Sequence, residues 1–360
     1  MNIKKDFSLK NYNTFGVDIK SKYFAKIESI EQLKKVLEQY PNEKILILGD
    51  GSNTLLVDNW EGLTLKIGLK GKELIKEDDK TVEIKVASGE NWDEFVRYTV
   101  KNNWSGVENL VFIPGTIGAA IAQNIGAYGQ EVIDSLISIE AFDLTNFKLK
   151  TFLPKECGFK YRNSFFKNEW RDRYIIISGT FKLRKYENSE KGKKEYNRDL
   201  GEKRAYEGLK EELKEFAKEP YNIEDIMNAV IRQRKKKLPS LEEYGTCGCF
   251  FENPIITKNE YDALVEKIPD LPSYPLEKNL VKIPAGKLLD ELGWKNKWKD
   301  NVGVFEKHAL CVVTKGNASG KEVYDFIKEM TKDVKKRYDV TLIPEVNIIR
   351  NQKKLSGPIS

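Results

Sequence analysis

Residues 113–129, IPGTIGAAIAQNIGAYG, constrain what this chain can fold into more than any other stretch. The run holds four glycines, four alanines and a proline, and no charged side chain. Small side chains let a backbone come close to whatever lies beside it, and glycine adds turns with positive φ. A surface loop would ordinarily carry charge, and a core helix Leu and Val. Composition leaves two readings open. Backbone N–H groups gathered ahead of a helix cradle anionic oxygens such as those of a diphosphate. Close contact between helices asks for the same small residues.

The chain has 360 residues, enough for two or three domains with sizeable cores. No run of about eighteen apolar residues occurs, so no membrane span is expected. Residues 1–13 carry lysines without an apolar segment, unlike a secretory signal. Four cysteines, Cys157, Cys247, Cys249 and Cys311, show no CxxC pair and no density of a disulfide scaffold, which suits the reducing cytoplasm. The net charge of +6 is modest, with acids interleaved among the lysines. That argues against nucleic acid as a partner and fits an anionic small molecule. A non-enzymatic binding protein for an anionic ligand would account for the basic residues 234–237, but not for the uncharged Gly/Ala run.

Residues 29–40 place Ile30, Leu33, Val36 and Leu37 at helical spacing. The apolar run 44–48 predicts a buried strand that feeds Gly49-Asp50-Gly51-Ser52-Asn53, a turn of the kind that meets ligands. It is neither a P-loop nor a dinucleotide fingerprint, because the spacing and the lysine are missing. Strands are expected at 63–67, 82–87, 136–142 and 174–183, and an amphipathic helix at 91–102. The alternation reads as α+β. Residues 185–218, dense in Lys and Glu, read as a solvated loop and exposed helix. A helix over 223–237 is closed by Pro239. Beyond it come a helix near 285–292, a strand near 309–313, a helix over 320–338 and a last strand over 340–349, interrupted by Pro344.

Four places carry candidate chemistry. Cys249 lies in GTCGCFFENP, residues 245–254. Its C-x-C pair with Cys247 has metal-ligand spacing, but His308 is the only histidine and no second Cys/His cluster accompanies it, so no metal is expected. A Cys/His pair would need tertiary contact, and a buried inert cysteine is the alternative. Arg162, after Tyr161 in CGFKYRNS, suits bidentate binding of a carboxylate or a plain surface ion pair. Glu345 follows Pro344 in an apolar run, as an edge-strand charge or a placed acid. Lys237 closes a basic run of the kind favoured at a helix C-terminus.

In order, NTFGVD (13–18), ILGDGSN (47–53), GENW (89–92), the 113–129 run, CGFKYRNSFFK (157–167), KLP (237–239), FFENP (250–254) and IPEV (343–346) resemble one family. It is that of the UDP-N-acetylenolpyruvoylglucosamine reductases, flavoenzymes of bacterial peptidoglycan precursor synthesis. The resemblance covers nearly the whole chain, and the order and spacing of the motifs make it specific.

The resemblance implies a vanillyl-alcohol-oxidase/PCMH-type FAD-binding fold of two subdomains plus a C-terminal α+β substrate-binding domain. The first subdomain would be 1–70 joined by 339–360, the second 71–237, and the substrate domain 238–338. It implies that NADPH reduces FAD, that the reduced flavin N5 gives hydride to C3 of the enolpyruvyl group, and that C2 takes a proton to give UDP-N-acetylmuramate. Asp50, Gly51, Ser52, Asn53, Pro114, Gly115, Thr116, Gly118, Asn124, Gly126 and Ala127 match its FAD-binding loops. Arg162 matches the cation beside the developing charge, Glu345 its paired acid, and Cys249 the proton donor, where the family usually has serine. A thiol is the stronger acid, near 8.5 in general. Tyr161 and Asn253 fall at substrate-binding positions, and Lys237 matches a lysine that contacts the substrate diphosphate or the nicotinamide cofactor. Tyr196 matches the tyrosine of a substrate-closing loop in the longer, three-domain type, which would make 185–218 a lid. His308 stands where relatives often have an amide, and either meets substrate or packs. The expected partners are UDP-N-acetylglucosamine enolpyruvate and NADPH, with no nucleic acid and no membrane, for a cytoplasmic monomer. Another flavin oxidoreductase on this fold would share the FAD loops but not Tyr161, Arg162, Cys249 and Glu345 together.

Overall fold

A computed structural model of the chain describes residues 3–202 and 207–351, with side chains described outside 198–208. Helices and strands are mixed along it, an α+β arrangement. It divides into two compact units. The first is built mainly from Phe24–Asp50 and Gly62–Lys236, the second from Lys5–Tyr23, Gly51–Glu61 and the chain from Lys237 onward.

In the first unit, Ser29 caps the helix Ile30–Gln39 by accepting from the Gln32 N–H, and Leu33, Val36 and Leu37 are its buried stripe. The strand Ile45–Leu48 then pairs in parallel with Trp60–Ile67, Ile45 opposite Leu63. A larger antiparallel sheet runs Lys148–Phe152, Leu136–Asp143, Tyr174–Lys185, Thr81–Ala87, Lys72–Glu77. Strict alternation in Thr81–Ala87 buries Val82, Ile84 and Val86 on one face. The helices Trp92–Lys101 and Ile117–Gln123 feed the same core. Trp92, Phe95 and Phe181 meet there at ring-centroid distances of 5.0–6.0 Å, each burying roughly 1.5–3 kcal/mol of transfer free energy.

Close packing accounts for part of the small-residue run. A Cβ on Gly179 of the central strand would lie 2.5 Å from Ile121 Cδ1, and one on Gly118 would lie 2.9 Å from Ser88 Cβ. The contact is between helix and sheet, not between two helices.

The charged stretch is not merely solvated. Its described parts form the helices Glu190–Glu202 and Glu207–Phe216, while 203–206, inside the expected lid, lie outside the described residues. Leu209 and Leu213 are buried in the same core as Ile226, Ala229 and Val230 of the helix Ile223–Lys237. Glu212, between those leucines, is also buried and bonds Arg232, Gln233 and Lys236. Two leucines four apart are a narrow stripe, easily lost among lysines and glutamates.

The second unit holds an antiparallel sheet ordered Gly245–Cys249, Cys311–Thr314, Val302–Val304, Trp298–Lys299. The helix Gly320–Tyr338 begins at a Ser319–Glu322 capping box and buries Phe326, Ile327, Met330 and Val334. Its first residue has to be glycine, since a Cβ there would sit 1.8 Å from the Leu56 carbonyl oxygen. The strand expected over 340–349 shrinks to Asn347–Ile349, which pairs in parallel with Thr54–Leu56. Pro344, lacking an N–H, makes only an isolated bridge with Phe251. The strand near 309–313 begins at Cys311, because Ala309 and Leu310 belong to a turn closed by the Cys311 N–H on the His308 carbonyl.

Candidate active site

Two of the glycine-bearing loops meet within the first unit. A Cβ on Gly49 would stand 2.8 Å from Thr116 Oγ1 and 3.3 Å from Ala119 Cβ. The side chains of Thr116 and Ala119 fill the space a Cβ would need, so glycine at 49 is what lets the two loops pack this closely. Asp50 is held beside it by Lys66, at 2.6 Å, which also donates to the Gly49 carbonyl. The anion-cradle reading of the helix start needs a correction. The Ile117 N–H donates to Glu90 O and the Gly118 N–H to Ser88 O, while Thr116 Oγ1 caps Ala119. The first turn is thus satisfied by protein.

Asn124 ends this helix in the left-handed conformation, φ 46°. Its amide donates to Glu131 and to the Lys160 carbonyl, tying the helix end to the turn that carries Arg162. Gly126 and Ala127 pair with Gln130 and Glu131 around a two-residue turn with positive φ at Tyr128 and Gly129. Lys160 and Asn163 exchange both backbone bonds, leaving Tyr161 and Arg162 at the tip, with Arg162 at φ +53°. The guanidinium stacks on the Tyr161 ring at 4.8 Å, donates to the Gly126 carbonyl and lies 3.6 Å from Glu131. Tyr161, Arg162, Asn124 and Gly126 therefore form one cluster. Glu131, which no sequence motif flagged, is the acid that links them.

In the second unit the backbone of Glu345 is bonded to the residue that follows Cys249. The Glu345 N–H donates to the carbonyl of Phe250, the residue after Cys249, at 2.9 Å. Asn53 fixes the same segment: its amide donates to the Glu345 carbonyl, and its own carbonyl accepts from Asn347. Gly51 needs its identity, because at φ +65° a Cβ would fall 2.2 Å from the Tyr12 carbonyl. Arg162 belongs to the first unit, and Cys249 and Glu345 to the second.

The C-x-C pair does not act as a pair. On a regular strand Cys247 and Cys249 would share a face. Between Thr246 and Cys249 the register slips, with Gly248 at φ +73°, and the alternation breaks. Cys247 instead lies against Thr14 and the Thr54 carbonyl, and burial pushes its thiol up to about 12, well out of reach of ionisation. Cys249 meets Cys311 across the sheet.

The remaining candidates are dispersed. Asn253 caps the helix Ala285–Glu291 by accepting from the Ala285 N–H. Lys237 is exposed and near His308, whose imidazole burial and the cations of Lys237 and Lys295 hold below its usual range. Tyr196 packs on Tyr186 and donates to Glu108 at 2.8 Å, and burial beside that carboxylate drives its hydroxyl far above the usual range.

The architecture and its glycine-lined loops define an FAD-binding α+β protein with a C-terminal domain of its own. Residues 21–146 match the model of the FAD binding domain, and 240–349 match that of the UDP-N-acetylenolpyruvoylglucosamine reductase C-terminal domain. The chain is 42% identical to the UDP-N-acetylenolpyruvoylglucosamine reductase of Flavobacterium johnsoniae over 97% of its own length and all of the relative's. It is 39% identical to that of Paraburkholderia phymatum, covering 94% of this chain and 96% of that one. The crystal structure of the Thermus caldophilus reductase shares the fold, with a TM-score of 0.65 at 24% identity over 97% of this chain and 100% of that one. The chain belongs to the UDP-N-acetylenolpyruvoylglucosamine reductase family, the FAD oxidoreductases of peptidoglycan precursor synthesis.

Proposed function

We propose that the protein uses NADPH to reduce UDP-N-acetylglucosamine enolpyruvate to UDP-N-acetylmuramate, with Arg162, Cys249 and Glu345 as its catalytic residues. FAD, when bound, would supply hydride chemistry between NADPH and C3 of the enolpyruvyl group. The residues proposed to hold it are Asp50, Pro114, Gly115, Thr116, Gly118, Asn124, Gly126 and Ala127 in the first unit, and Gly51, Ser52 and Asn53 in the second. The close packing of Gly49 on Thr116 and Ala119 holds two of these loops side by side, and the match of residues 21–146 to an FAD binding domain supports the assignment.

Addition at C3 moves negative charge onto the substrate's carboxylate and its enolic oxygen. Arg162 is the cation that stabilises it, and its stacking on Tyr161 keeps the guanidinium plane fixed before substrate arrives. Glu345 hydrogen-bonds near the same charge and relays protons. Cys249 gives its S–H proton to C2, a task for which a thiol suffices where the family has a hydroxyl. The observation that supports this assignment is the bond from Glu345 N–H to Phe250 O, which ties the backbone of Glu345 to the residue after Cys249. Tyr161, Lys237 and Asn253 bind the nucleotide sugar in this reading. Tyr196 joins them only by giving up Glu108, so the described part of 185–218 would have to shift for it to act as a lid. The 1–70/339–360, 71–237 and 238–338 divisions serve FAD binding, FAD binding and substrate binding respectively. A cytoplasmic monomer fits a nucleotide substrate, and among the described residues no helix is long and apolar enough to cross a membrane.

The test is NADPH oxidation by flavin-loaded protein with and without the enolpyruvyl substrate. Substrate-stimulated oxidation with one UDP-N-acetylmuramate formed per NADPH is expected. Flavin that is reduced but never reoxidised by this substrate would overturn the substrate assignment.

A further inference from the structure

We propose that Cys249, His308 and Cys311 form a binding site for a thiophilic divalent cation, Zn2+ foremost. Among the described residues no other trio of metal-ligating side chains converges in this way: the ligand atoms of these three all lie within 4.8 Å of one another. That is about 1 Å wider than a tetrahedral Cys2His set with metal–sulfur bonds near 2.3 Å requires, a gap that side-chain rotation closes.

The local fold brings the three together. Cys249 and Cys311 are direct partners across antiparallel strands, and Gly248 in its left-handed conformation lets Cys249 reach that register. His308 is carried by the hairpin between Val302–Val304 and Cys311–Thr314, which is pinned by the Phe305 N–H on Cys311 O and the Cys311 N–H on His308 O. Phe305, Tyr244 and Trp298 pack around the two cysteines, so the site has an apolar wall. His308 Nδ1 accepts from the Leu310 N–H at 3.2 Å, so it is the ring nitrogen that carries a lone pair. A metal takes that lone pair in exchange for one long hydrogen bond.

On binding, two S–H bonds break, two metal–sulfur bonds form, and two protons pass to solvent, with no change of oxidation state. Two thiolates and one imidazole leave the dication uncharged overall. Three protein ligands leave a fourth position for water or a substrate oxygen. A metal here removes the S–H of Cys249 from use. The expectation that it therefore blocks turnover rests on the proton-donor assignment above.

The experiment titrates the flavin-loaded protein with Co2+ and follows the d–d bands that lie to the red of oxidised flavin, then displaces Co2+ with Zn2+. One equivalent with the intense bands of a tetrahedral thiolate site is expected. Cys311→Ala and His308→Asn should each weaken it by more than about 100-fold, the upper end of what losing an outer-shell partner costs. Cys311→Ala should keep the metal-free turnover of the parent, which separates ligand loss from misfolding. Absence of tetrahedral bands, or bands that survive both substitutions, would overturn the site. If the bands form and vanish with Cys311→Ala but Zn2+ leaves reoxidation of the flavin by substrate unchanged, the site stands and the proton-donor role of Cys249 falls.

Discussion

Arg162 occupies the tip of a two-residue turn at φ +53°, a conformation that costs a non-glycine residue roughly 1–2 kcal/mol. A glycine would remove that cost, yet an arginine is there, stacked on its own neighbour and bonded to Gly126. The stack and the bond hold the guanidinium in place, as charge stabilisation requires. Arg162→Ala should retain FAD and its reduction by NADPH, while reoxidation by the enolpyruvyl substrate falls about 10²–10³-fold, the usual loss when one oxyanion-stabilising donor is removed. Unchanged turnover would exclude the role. Cys249→Ala should likewise spare the NADPH half-reaction and slow the second by about 10²–10⁴-fold, the range of general-acid assistance. Stopped-flow traces of the two halves distinguish this from a variant that has simply lost its flavin, in which both would fall together.

At the scale of elements, the helix Glu207–Phe216 is fastened to Ile223–Lys237 by a buried carboxylate. Burial by itself would raise the Glu212 pKa, but hydrogen bonds from Lys236 and Arg232 outweigh it and hold the group below its ordinary 4.5. A carboxyl lowered on folding contributes stability above its unfolded value, and that contribution disappears as pH falls through the folded one. Glu212→Gln should therefore melt earlier than the parent at neutral pH, by about 1–3 kcal/mol for buried donors deprived of their acceptor. The gap should narrow below pH 4.5. A gap of the same size at both pH values would mean that packing, not charge, fastens the helix. The glycine-bearing loops make the other prediction. Gly118→Val places a branched side chain against Ser88, where even a Cβ would be 2.9 Å from the serine Cβ. The helix Ile117–Gln123 must then shift away from the Thr81–Ala87 strand and its following loop. The protein should purify with little or no yellow colour, and absorbance of bound flavin after desalting reports it.

For the molecule as a whole, flavin should be a component of stability. A ligand that binds only the native state at a hundredfold excess over its Kd adds about 2.7 kcal/mol. Melting of the flavin-stripped protein should accordingly rise with added FAD and depend on its concentration. A melt indifferent to FAD would contradict the match of residues 21–146 to an FAD binding domain. The net charge of +6 has its consequence at this scale too, as a field that draws an anionic nucleotide sugar and weakens with salt.

The sequence alone was enough for the α+β class, most element positions and the family. Periodicity is a local property, and helices such as Gly320–Tyr338 and Ile223–Lys237 fall where spacing and capping residues put them. The order of short motifs along the chain is equally local, and it carried the FAD loops and the candidate catalytic residues. Distances between segments were beyond it. That Glu131 ties Arg162 to Asn124, that Glu345 lies beside Phe250, and that Leu209 and Leu213 give a charged helix a buried face all depend on residues far apart in the chain. The cysteines show the limit most sharply. Spacing suggests Cys247 with Cys249, but one bulge at Gly248 reverses the alternation, and the cross-strand register supplies Cys311 in its place. Register and bulges are settled by the packing of whole strands, so only the tertiary structure decides which side chains share a face.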